Sequence, residues 1–408
     1  MKNFYILLFV LVSLNGTGQT WNIQSSGTNQ NLMSIGFADP LVGVAVGNNG
    51  TILWTDNGGQ VWHSSSLKDN TNYLSTSMKI TNGQREAWIC GDNGTIKYAP
   101  FYTGANPVWI AQNSGMSFGL NDLEMSPQTN NRTGYAVGDA ATVIKTTDGG
   151  QTWTRITNFP FLVFLTSVSV DPTDPNKIIV AGDQGVIVSS DDGGTTWNII
   201  QASGSQYWGA CVYTGAYTGW ISGSPASLTH FSGDTLTDYN LGSMTAGLMG
   251  LAFGTANYGT AVGDSGKIRH YDGTSWTPET SPTTEWLTSA SAAVDYSTKD
   301  YFTIIYTWAA GLNGMILGKT QIISGIESQD LQEVSLQPNP ARDFFTVKGF
   351  GKQAEYKVRI TDLQGRRLKE FSSAGSNEFN ISNLAEGVYL VTIYNGRSNL
   401  TRKLVVSF

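Results

Sequence analysis

The chain has 408 residues, of which 13% are charged, 11% are aromatic and 47 are glycine, and its formal net charge is −7. An ordinary soluble domain has about 25% charged residues and about 7% glycine. This composition therefore excludes a coiled coil or helical bundle, and the apolar content excludes a disordered chain. Residues 19–329 contain 12 Lys and Arg against 23 Asp and Glu, which is unsuited to nucleic acid, because phosphates need clustered basic side chains. The composition favours an all-β protein rich in turns.

The first 18 residues have the features of an export signal. Lys2 supplies a positive charge, and an apolar run of 11 residues follows from Phe4 to Leu14. About 20 apolar residues are needed to cross a bilayer, and the small residues Gly16 and Gly18 suit a signal peptidase. We expect a signal peptide over residues 1–18, cleavage after Gly18, and no transmembrane segment in the mature chain.

One pattern recurs through residues 19–326: an apolar strand, a Gly-Asp-x-Gly turn, a second strand, and a turn that leads to tryptophan. The spacing between successive copies is 40 to 48 residues, and four short strands per copy are typical of propeller blades. The glycines are expected to supply the positive φ of tight hairpins. The sequence therefore predicts a seven-bladed β-propeller over residues 19–326. The first glycines of the seven copies are Gly47, Gly91, Gly138, Gly182, Gly223, Gly263 and Gly311.

The seventh copy ends near Leu317 without an outer strand, whereas residues 20–23 form a spare strand before the first copy. The inner strands of the last blade are predicted around residues 286–292, 302–308 and 315–317. An N-terminal strand that pairs with the third of them would close the ring and remove an exposed sheet edge. We therefore expect the N-terminal strand to complete the seventh blade.

Residues 146–153 and 190–197 carry the pattern Ser/Thr-x-Asp-x-Gly-x-Thr-Trp in full. Together with the Gly-Asp turns, these motifs resemble the Asp-box (BNR) repeats of propellers of the photosystem II assembly-factor type. They are also similar to sialidase-type and sortilin-type Asp-box propellers. The resemblance implies a structural motif, in which the aspartate caps turn amides and the tryptophan packs between strands. The residues with this expected role are Asp148, Trp153, Asp192 and Trp197.

The sequence changes character after the propeller repeats. Residues 327–333 form a polar linker, and residues 334–408 contain the alternating strands of a small β-sandwich. The motifs at 338–340 (Pro-Asn-Pro), 384–389 (Leu-Ala-Glu-Gly-Val-Tyr) and 403–406 (Lys-Leu-Val-Val) resemble the type A C-terminal sorting domain of the type IX secretion system. The resemblance implies that the type IX secretion machinery is a partner. It also implies that the protein is secreted from, or held on the outer-membrane surface of, a Gram-negative bacterium.

No motif in the sequence indicates a catalytic site. A sialidase needs an arginine triad to hold its carboxylate substrate, but residues 19–326 contain only four arginines and lack the Phe/Tyr-Arg-Ile-Pro motif. A glycosidase needs two facing carboxylates, and Asp122 and Glu285, at or near the innermost strands of the third and seventh blades, are the candidates for that alternative. The histidines, Cys90 and Cys211 lack the spacing of a metal site. We expect no cofactor and no metal, and we interpret the cysteines as buried thiols, with one disulfide as the alternative.

Aromatic residues precede the innermost strands of three predicted blades. We expect these residues to ring one mouth of the central channel, where exposed rings stack on sugars or hold apolar peptide side chains. Packing between blades is the alternative. The pattern favours a secreted or surface propeller that binds a protein or a glycan without catalysis, over a polysaccharide hydrolase or a self-associating surface protein. The candidate ligand-binding residues are Phe161, Phe164, Tyr207, Trp208 and Trp286.

Overall fold

The computed structural model describes residues 20–102, 104–242, 244–295, 302–324, 335–348, 356–362, 367–373, 378–394 and 399–407. The expected export signal over residues 1–18 and the expected linker over residues 327–333 lie outside these ranges. The chain divides into two compact units near residue 322. Within the described ranges, no helix has the length and apolar character that a membrane crossing requires.

The first unit consists of seven four-stranded antiparallel sheets, which we call blades 1 to 7. Each blade is built in chain order from its innermost strand outward, except that the outermost strand of blade 7 is the first strand of the chain. Blades 1 and 2 contain β2 (Leu32–Phe37), β3 (Gly43–Gly47), β4 (Ile52–Thr55) and β5 (His63–Ser64), then β6 (Tyr73–Thr81), β7 (Gln84–Gly91), β8 (Thr95–Phe101) and β9 (Ile110–Gln112). Blades 3 and 4 contain β10 (Leu120–Met125), β11 (Gly134–Gly138), β12 (Thr142–Thr146) and β13 (Thr154–Arg155), then β14 (Leu165–Val170), β15 (Ile178–Gly182), β16 (Ile187–Ser190) and β17 (Asn198–Gln201).

Blades 5 to 7 follow the same plan, and short 3₁₀ turns connect strands in most blades. Blades 5 and 6 contain β18 (Tyr207–Gly215), β19 (Thr218–Ser224), β20 (Ser227–Ser232) and β21 (Thr235–Asp238), then β22 (Leu248–Thr255), β23 (Tyr258–Gly263), β24 (Ile268–Tyr271) and β25 (Trp276–Glu279). Blade 7 contains β26 (Leu287–Asp295), β27 (Phe302–Gly311), β28 (Ile316–Ser324) and β1 (Asn22–Gln24). The 3₁₀ turns are Asp92–Gly94, Pro127–Thr129, Asp139–Ala141, Asp183–Gly185, Asp264–Gly266 and Leu312–Gly314.

The N-terminal strand β1 forms the outermost strand of blade 7, as the sequence predicts. Strand β1 pairs antiparallel with β28, with Asn22 opposite Gly318. The buried Trp21 belongs to the same apolar cluster as Leu317, and its indole N–H donates to Glu279 of blade 6 at 2.7 Å. Hydrogen bonds and side-chain packing therefore join the first and last segments of the propeller.

The seven innermost strands surround a channel. Each of them contacts the innermost strand of the next blade, and β26 of blade 7 contacts β2 of blade 1. Because each blade is packed against a neighbour on both faces, its middle strands are apolar without alternation. Strands β3 and β15, for example, are buried at every residue.

The first glycine of each repeat has a packing role. Gly91, Gly138 and Gly263 have φ within 7° of 180°, which is extended backbone that any residue adopts. A Cβ at these positions would overlap the carbonyl oxygen of the residue that leads into the innermost strand of the same blade. The second glycine of the turn, as at Gly94 and Gly266, has φ of 68°, which favours glycine. The expectation of positive φ is therefore right for the second glycine and wrong for the first.

The two complete Asp-boxes form caps of the same geometry. The Asp148 carboxylate accepts the backbone N–H of Thr152 at 2.9 Å and its hydroxyl at 2.6 Å. Asp192 accepts the same two groups of Thr196 at 2.8 and 2.6 Å. Hydrogen bonds from these threonine hydroxyls and amides lower the pKa of both carboxyls to about 2. The tryptophans that end the two motifs are partly buried against apolar clusters between blades: Trp153 and Trp197.

The C-terminal unit contains two antiparallel sheets around one core, which is the packing of the predicted small β-sandwich. Buried side chains of both sheets, such as Phe345 and Val391, belong to a single apolar cluster. The first sheet contains, in spatial order, β29 (Ser335–Gln337), β30 (Phe344–Lys348) and β33 (Glu378–Asn380). The second contains β32 (Arg367–Ser372), β31 (Lys357–Thr361), β34 (Gly387–Tyr394) and β35 (Asn399–Val406).

Candidate functional site

The innermost strands enclose a cavity of about 340 Å³, to which all seven blades contribute residues. Serine, threonine and small apolar residues make up most of its lining, and the charged residues in that lining are Lys79, Asp122 and Glu124. Lys79 and Glu124 form an ion pair with 3.1 Å between Nζ and Oε1. Asp122 is therefore the charged group of the channel that has no ionic partner among the lining residues.

Asp122 is held by hydrogen bonds from its own and two neighbouring blades. Its Oδ1 accepts the Ser75 hydroxyl at 2.7 Å and the Leu123 N–H at 2.9 Å. Its Oδ2 accepts the Ser167 hydroxyl and the Val168 N–H, both at 2.9 Å. Burial raises the pKa of this carboxyl more than the hydrogen bonds lower it. The side chain connects blades 2, 3 and 4, and four donors already occupy its oxygens.

Glu285 lies in the loop before β26, where its carboxylate accepts the side-chain N–H of Asn313 at 2.9 Å. Among the described residues, the lining of the channel cavity includes Asp122 but not Glu285. The structure therefore does not bring these two candidates together in the channel. The facing pair of carboxylates that glycoside hydrolysis needs is not formed there.

Seven equivalent residues stand where the innermost strands begin. Each one directly precedes the first buried side chain of its innermost strand, and its carbonyl oxygen lies against the first glycine of the repeat in the same blade. We call these seven residues the rim, because together they surround one mouth of the channel. In order from blade 1 to blade 7, the rim consists of Asn31, Asn72, Gly119, Phe164, Tyr207, Gly247 and Trp286.

Three rim residues are aromatic and exposed. Phe164, Tyr207 and Trp286 are 55%, 43% and 54% exposed, respectively. Two apolar neighbours extend this surface, because Leu162 is 85% and Phe118 is 47% exposed. The rim is thus apolar in blades 4, 5 and 7 and carries amide side chains in blades 1 and 2.

Carboxylates lie beside the aromatic part of the rim. The Asp183 carboxylate accepts the backbone N–H of Phe164 at 3.1 Å. Burial and the negative charges of Asp183 and Asp139 raise the pKa of Tyr207, so its phenol stays neutral at physiological pH. The surface therefore combines apolar rings with negative charge.

Trp208 does not belong to this surface, which corrects its assignment as a ligand-binding residue. It is 2% exposed and lies in an apolar cluster with residues of blade 4, including Ile179. Successive side chains of a strand face opposite sides, so the ring next to the exposed Tyr207 turns inward. An alignment of the repeats indicates that Trp208 is buried, because it occupies the position of the buried Leu165 and Leu287.

Phe161 is also less available than the sequence suggests. It is partly buried and packs against the apolar cluster between blades 3 and 4. The exposed large apolar side chains of residues 159–164 are Leu162 and Phe164. The sequence pattern concerned aromatic residues before the innermost strands of blades 4, 5 and 7, and so it included neither the aliphatic Leu162 nor Phe118, which precedes blade 3.

The two cysteines are both buried and unbridged. Burial raises the pKa of both thiols, so neither Cys90 nor Cys211 is a reactive thiolate. In the described part of the chain, no group of three or more His, Cys, Asp or Glu residues is placed to hold a metal ion.

Two family profiles match parts of the chain. Residues 15–99 and 105–206 match the photosynthesis system II assembly factor YCF48, and residues 335–407 match the secretion system C-terminal sorting domain. The photosystem II assembly lipoprotein Ycf48 of Synechococcus sp. (strain CC9902) is 30% identical over 166 residues. That match covers 37% of this chain and 47% of the relative, so the chain spans about half the length of this curated protein.

Two solved structures share the propeller fold. The structure titled "YCF48 bound to D1 peptide" is similar with a TM-score of 0.57 and 15% identity, covering 73% of this chain and 96% of that one. YCF48 from Cyanidioschyzon merolae is similar with a TM-score of 0.54 and 17% identity, covering 74% and 98%. At 15% and 17% identity, the similarity to these structures shows a shared fold.

The sorting domain implies secretion or a cell-surface location in bacteria of the Bacteroidetes type, and interaction with their secretion machinery. The repeats, the seven blades and the profile matches all point to one type of propeller. The chain thus combines a BNR-like propeller domain of the YCF48 type with a C-terminal sorting domain of the type IX secretion system.

Proposed function

We propose that the secreted propeller is a non-catalytic binding module that holds a protein segment at the aromatic part of its rim. The observation that carries the proposal is the exposure of Phe164, Tyr207 and Trp286 at equivalent positions around one mouth of the channel. Exposed aromatic side chains with apolar neighbours are characteristic of interaction surfaces.

The composition of the rim favours a protein segment over a glycan. Leu162 and Phe118 add aliphatic and aromatic surface of the kind that holds apolar peptide side chains, and they offer no polar group to sugar hydroxyls. Asp183 and Asp139 supply negative charge near Tyr207. A segment with apolar and basic side chains matches both features.

A relative of the same fold provides independent support. One solved structure is described as YCF48 bound to a D1 peptide, so a protein with this architecture has been observed with a peptide. That ligand belongs to the relative. For the present chain, the supported class is a peptide segment of a protein outside the cytoplasm.

The proposal is tested by selecting peptides from a random dodecapeptide phage library on the full chain. We expect enriched peptides that combine apolar with basic residues. Their dissociation constants are then measured for the double variant Phe164→Ala/Trp286→Ala, in which both rings are truncated. A loss of at least about tenfold is expected, since aromatic anchors dominate such interfaces. The variant should fold normally, because both side chains are more than half exposed.

Tyr102→Ala is the matched control, because Tyr102 is 63% exposed but lies at the end of β8, outside the rim. It should leave the affinities unchanged. Absence of enrichment, or enriched peptides that bind the double variant as well as the wild type, would contradict the proposal. A glycan array probed with the same proteins completes the test, because glycan binding that only the double variant loses would reassign the rim to sugars.

A further inference from the structure

A second cavity, of about 680 Å³, opens between blades 2 and 3. Strands of blade 2 form one wall, and the loop before β11 with the Asp-box loop of blade 3 forms the other. None of its lining residues belongs to the rim, to the channel lining or to the aromatic surface. Its volume falls within the range of about 300 to 1,000 Å³ that is usual for small-molecule sites. We call this cavity the blade 2–3 cleft.

One buried atom of the cleft lacks a hydrogen-bond partner. Asn131 lines the cleft and is 2% exposed. Its amide nitrogen donates to the Thr81 hydroxyl and, at 3.0 Å, to Glu86 Oε2. These two bonds orient the amide, so the carbonyl oxygen Oδ1 is left buried and unpaired. This oxygen is closed off from ligands, and the contribution of Asn131 to the cleft is to hold the carboxylate of Glu86 in place.

A half-buried carboxylate, that of Glu86, accepts the amide N–H of Asn131. Glu86 Oε1 accepts the Tyr98 hydroxyl at 2.7 Å, while Oε2 accepts Asn131. Each carboxylate oxygen has capacity for a second donor. The hydroxyl of Tyr98 donates to Glu86, so its oxygen remains able to accept. Glu86 and Tyr98 therefore offer the cleft oxygen acceptors that their mutual hydrogen bond holds in place.

Side-chain amides are the most frequent polar groups of the lining, and an amide can donate and accept at the same time. Gln112 already uses both of its groups, on Gly149 and Trp153. Sugar hydroxyls have the same dual character. The charged residues of the lining are Glu86, Asp148 and Arg132, and the Asp148 carboxylate is already bonded to Thr152 of its own Asp-box. The Tyr98 ring and the exposed Ile110 offer apolar surface to the C–H groups of a pyranose. The amide residues of the lining are Asn82, Gln112, Asn113, Asn130, Asn131 and Gln151.

We propose that the blade 2–3 cleft binds a neutral saccharide, with ring hydroxyls donating to the carboxylate of Glu86 and to the hydroxyl oxygen of Tyr98. The site is separate from the aromatic part of the rim, and it gives the propeller a second ligand class. The contacts involve ring hydroxyls and ring C–H groups of the saccharide.

The test uses ligand-observed saturation-transfer NMR and calorimetry on the full chain, with maltose, cellobiose and N,N′-diacetylchitobiose as probes. At least one of the three is expected to bind. Gln151→Trp places a large ring at the exposed edge of the cleft and should weaken that binding at least tenfold. Glu86→Gln keeps the shape but removes the charge, and should weaken binding about tenfold, since hydrogen bonds to charged groups are the stronger ones.

Gln60→Trp is the matched control, because Gln60 occupies the same position in the first, Asn57-containing copy of the Asp-box and is also exposed. It should leave saccharide binding unchanged, and so should the rim variant Phe164→Ala/Trp286→Ala. Failure of all three probes, or equal weakening by Gln60→Trp and Gln151→Trp, would overturn the proposal. Binding of Nα-acetyl-arginine amide in the cleft without saccharide binding would overturn it as well. These outcomes do not depend on peptide binding at the rim.

Discussion

The seven junctions between neighbouring innermost strands are built in two different ways. In the five junctions that run from blade 7 through blade 1 to blade 5, a side-chain oxygen of one strand accepts a backbone N–H of the next. Ser289 accepts Ile35 at 3.3 Å, for example, and Asp122 accepts Val168 at 2.9 Å. These polar junctions connect the blades through the wall of the channel.

The remaining two junctions, between blades 5 and 6 and between blades 6 and 7, have glycine at the contact. A Cβ on Gly209 would lie 2.8 Å from the Cα of Met249, and a Cβ on Gly250 would lie 2.8 Å from the Cα of Ser289. In the described strands, no side-chain hydrogen bond of the polar type links these neighbours. Close backbone packing takes its place.

The difference explains the polar character of the channel. Serines and carboxylates on these strands satisfy backbone N–H groups that the neighbouring blade would otherwise leave buried and unpaired. Asp122 accepts four donors from three blades. A row of polar residues in the channel is therefore accounted for by the construction of the ring, without any substrate.

The largest effect is expected for Asp122→Ala, which removes the acceptor at the most highly connected polar junction. The Val168 N–H and two serine hydroxyls would remain buried without a partner, and we expect the free energy of unfolding to fall by about 3 kcal/mol. Thermal and urea unfolding of the full chain measure this. Asp122→Ser, which installs the residue found at the equivalent Ser34 and Ser167 positions, should cost about 1 kcal/mol. Unfolding of Asp122→Ala at the wild-type temperature would show that the polar junctions carry no stability.

A somewhat smaller effect is expected for Gly250→Ala at a glycine junction. The new methyl group would meet backbone atoms of Ser289 and Ala290, which cannot move without shifting blade 7. We expect a loss of about 1 to 3 kcal/mol in the same unfolding experiments. Gly36→Ala is the comparison, because its nearest neighbour is a side-chain atom, Thr76 Cγ2, at 3.2 Å, and no backbone atom lies closer. Equal tolerance of both substitutions would mean that close packing does not define the glycine junctions.

The polar junction at Asp122 should also respond to pH. Its pKa in the folded state is raised above the ordinary value of 3.8 by burial, so the folded protein binds this proton more tightly than the unfolded chain does. The corresponding stability is present below pH 3.8 and is lost as pH rises through the folded pKa. The melting temperature should therefore decrease between about pH 4 and about pH 8, and the decrease should be larger for the wild type than for Asp122→Ser. If the melting temperatures of the wild type and Asp122→Ser changed equally with pH, the pH dependence could not be assigned to Asp122.

The smallest effect is expected for Ala210→Ser, which places a hydroxyl of the polar type in a glycine junction. Ala210 is the blade 5 counterpart of Asp122 and Ser167. Because the close approach at Gly209 already determines this junction, the stability should stay within about 0.5 kcal/mol of the wild type. A gain above that value would show that the two kinds of junction are interchangeable.

The architecture was predictable from the sequence because its determinants are local and repeated. A glycine that must accommodate a carbonyl, a second glycine at positive φ, and an Asp-box that caps its own turn all lie within about twenty residues of one another. Their recurrence sets the number of blades. The spare strand at residues 20–23 could be recognised from the same count, since one outer strand was missing at the end of the last repeat.

The site depended on contacts between blades, which the sequence by itself does not contain. Tyr207 and Trp208 are adjacent, yet one is 43% and the other 2% exposed, because the register of β18 decides which ring meets blade 4. Asp122 serves as a connector only because blades 2 and 4 present donors to it. The orphan oxygen of Asn131 likewise arises where blade 3 packs on blade 2. Local periodicity determined the blades, and the packing of each blade on the next decided which side chains remain available to a ligand.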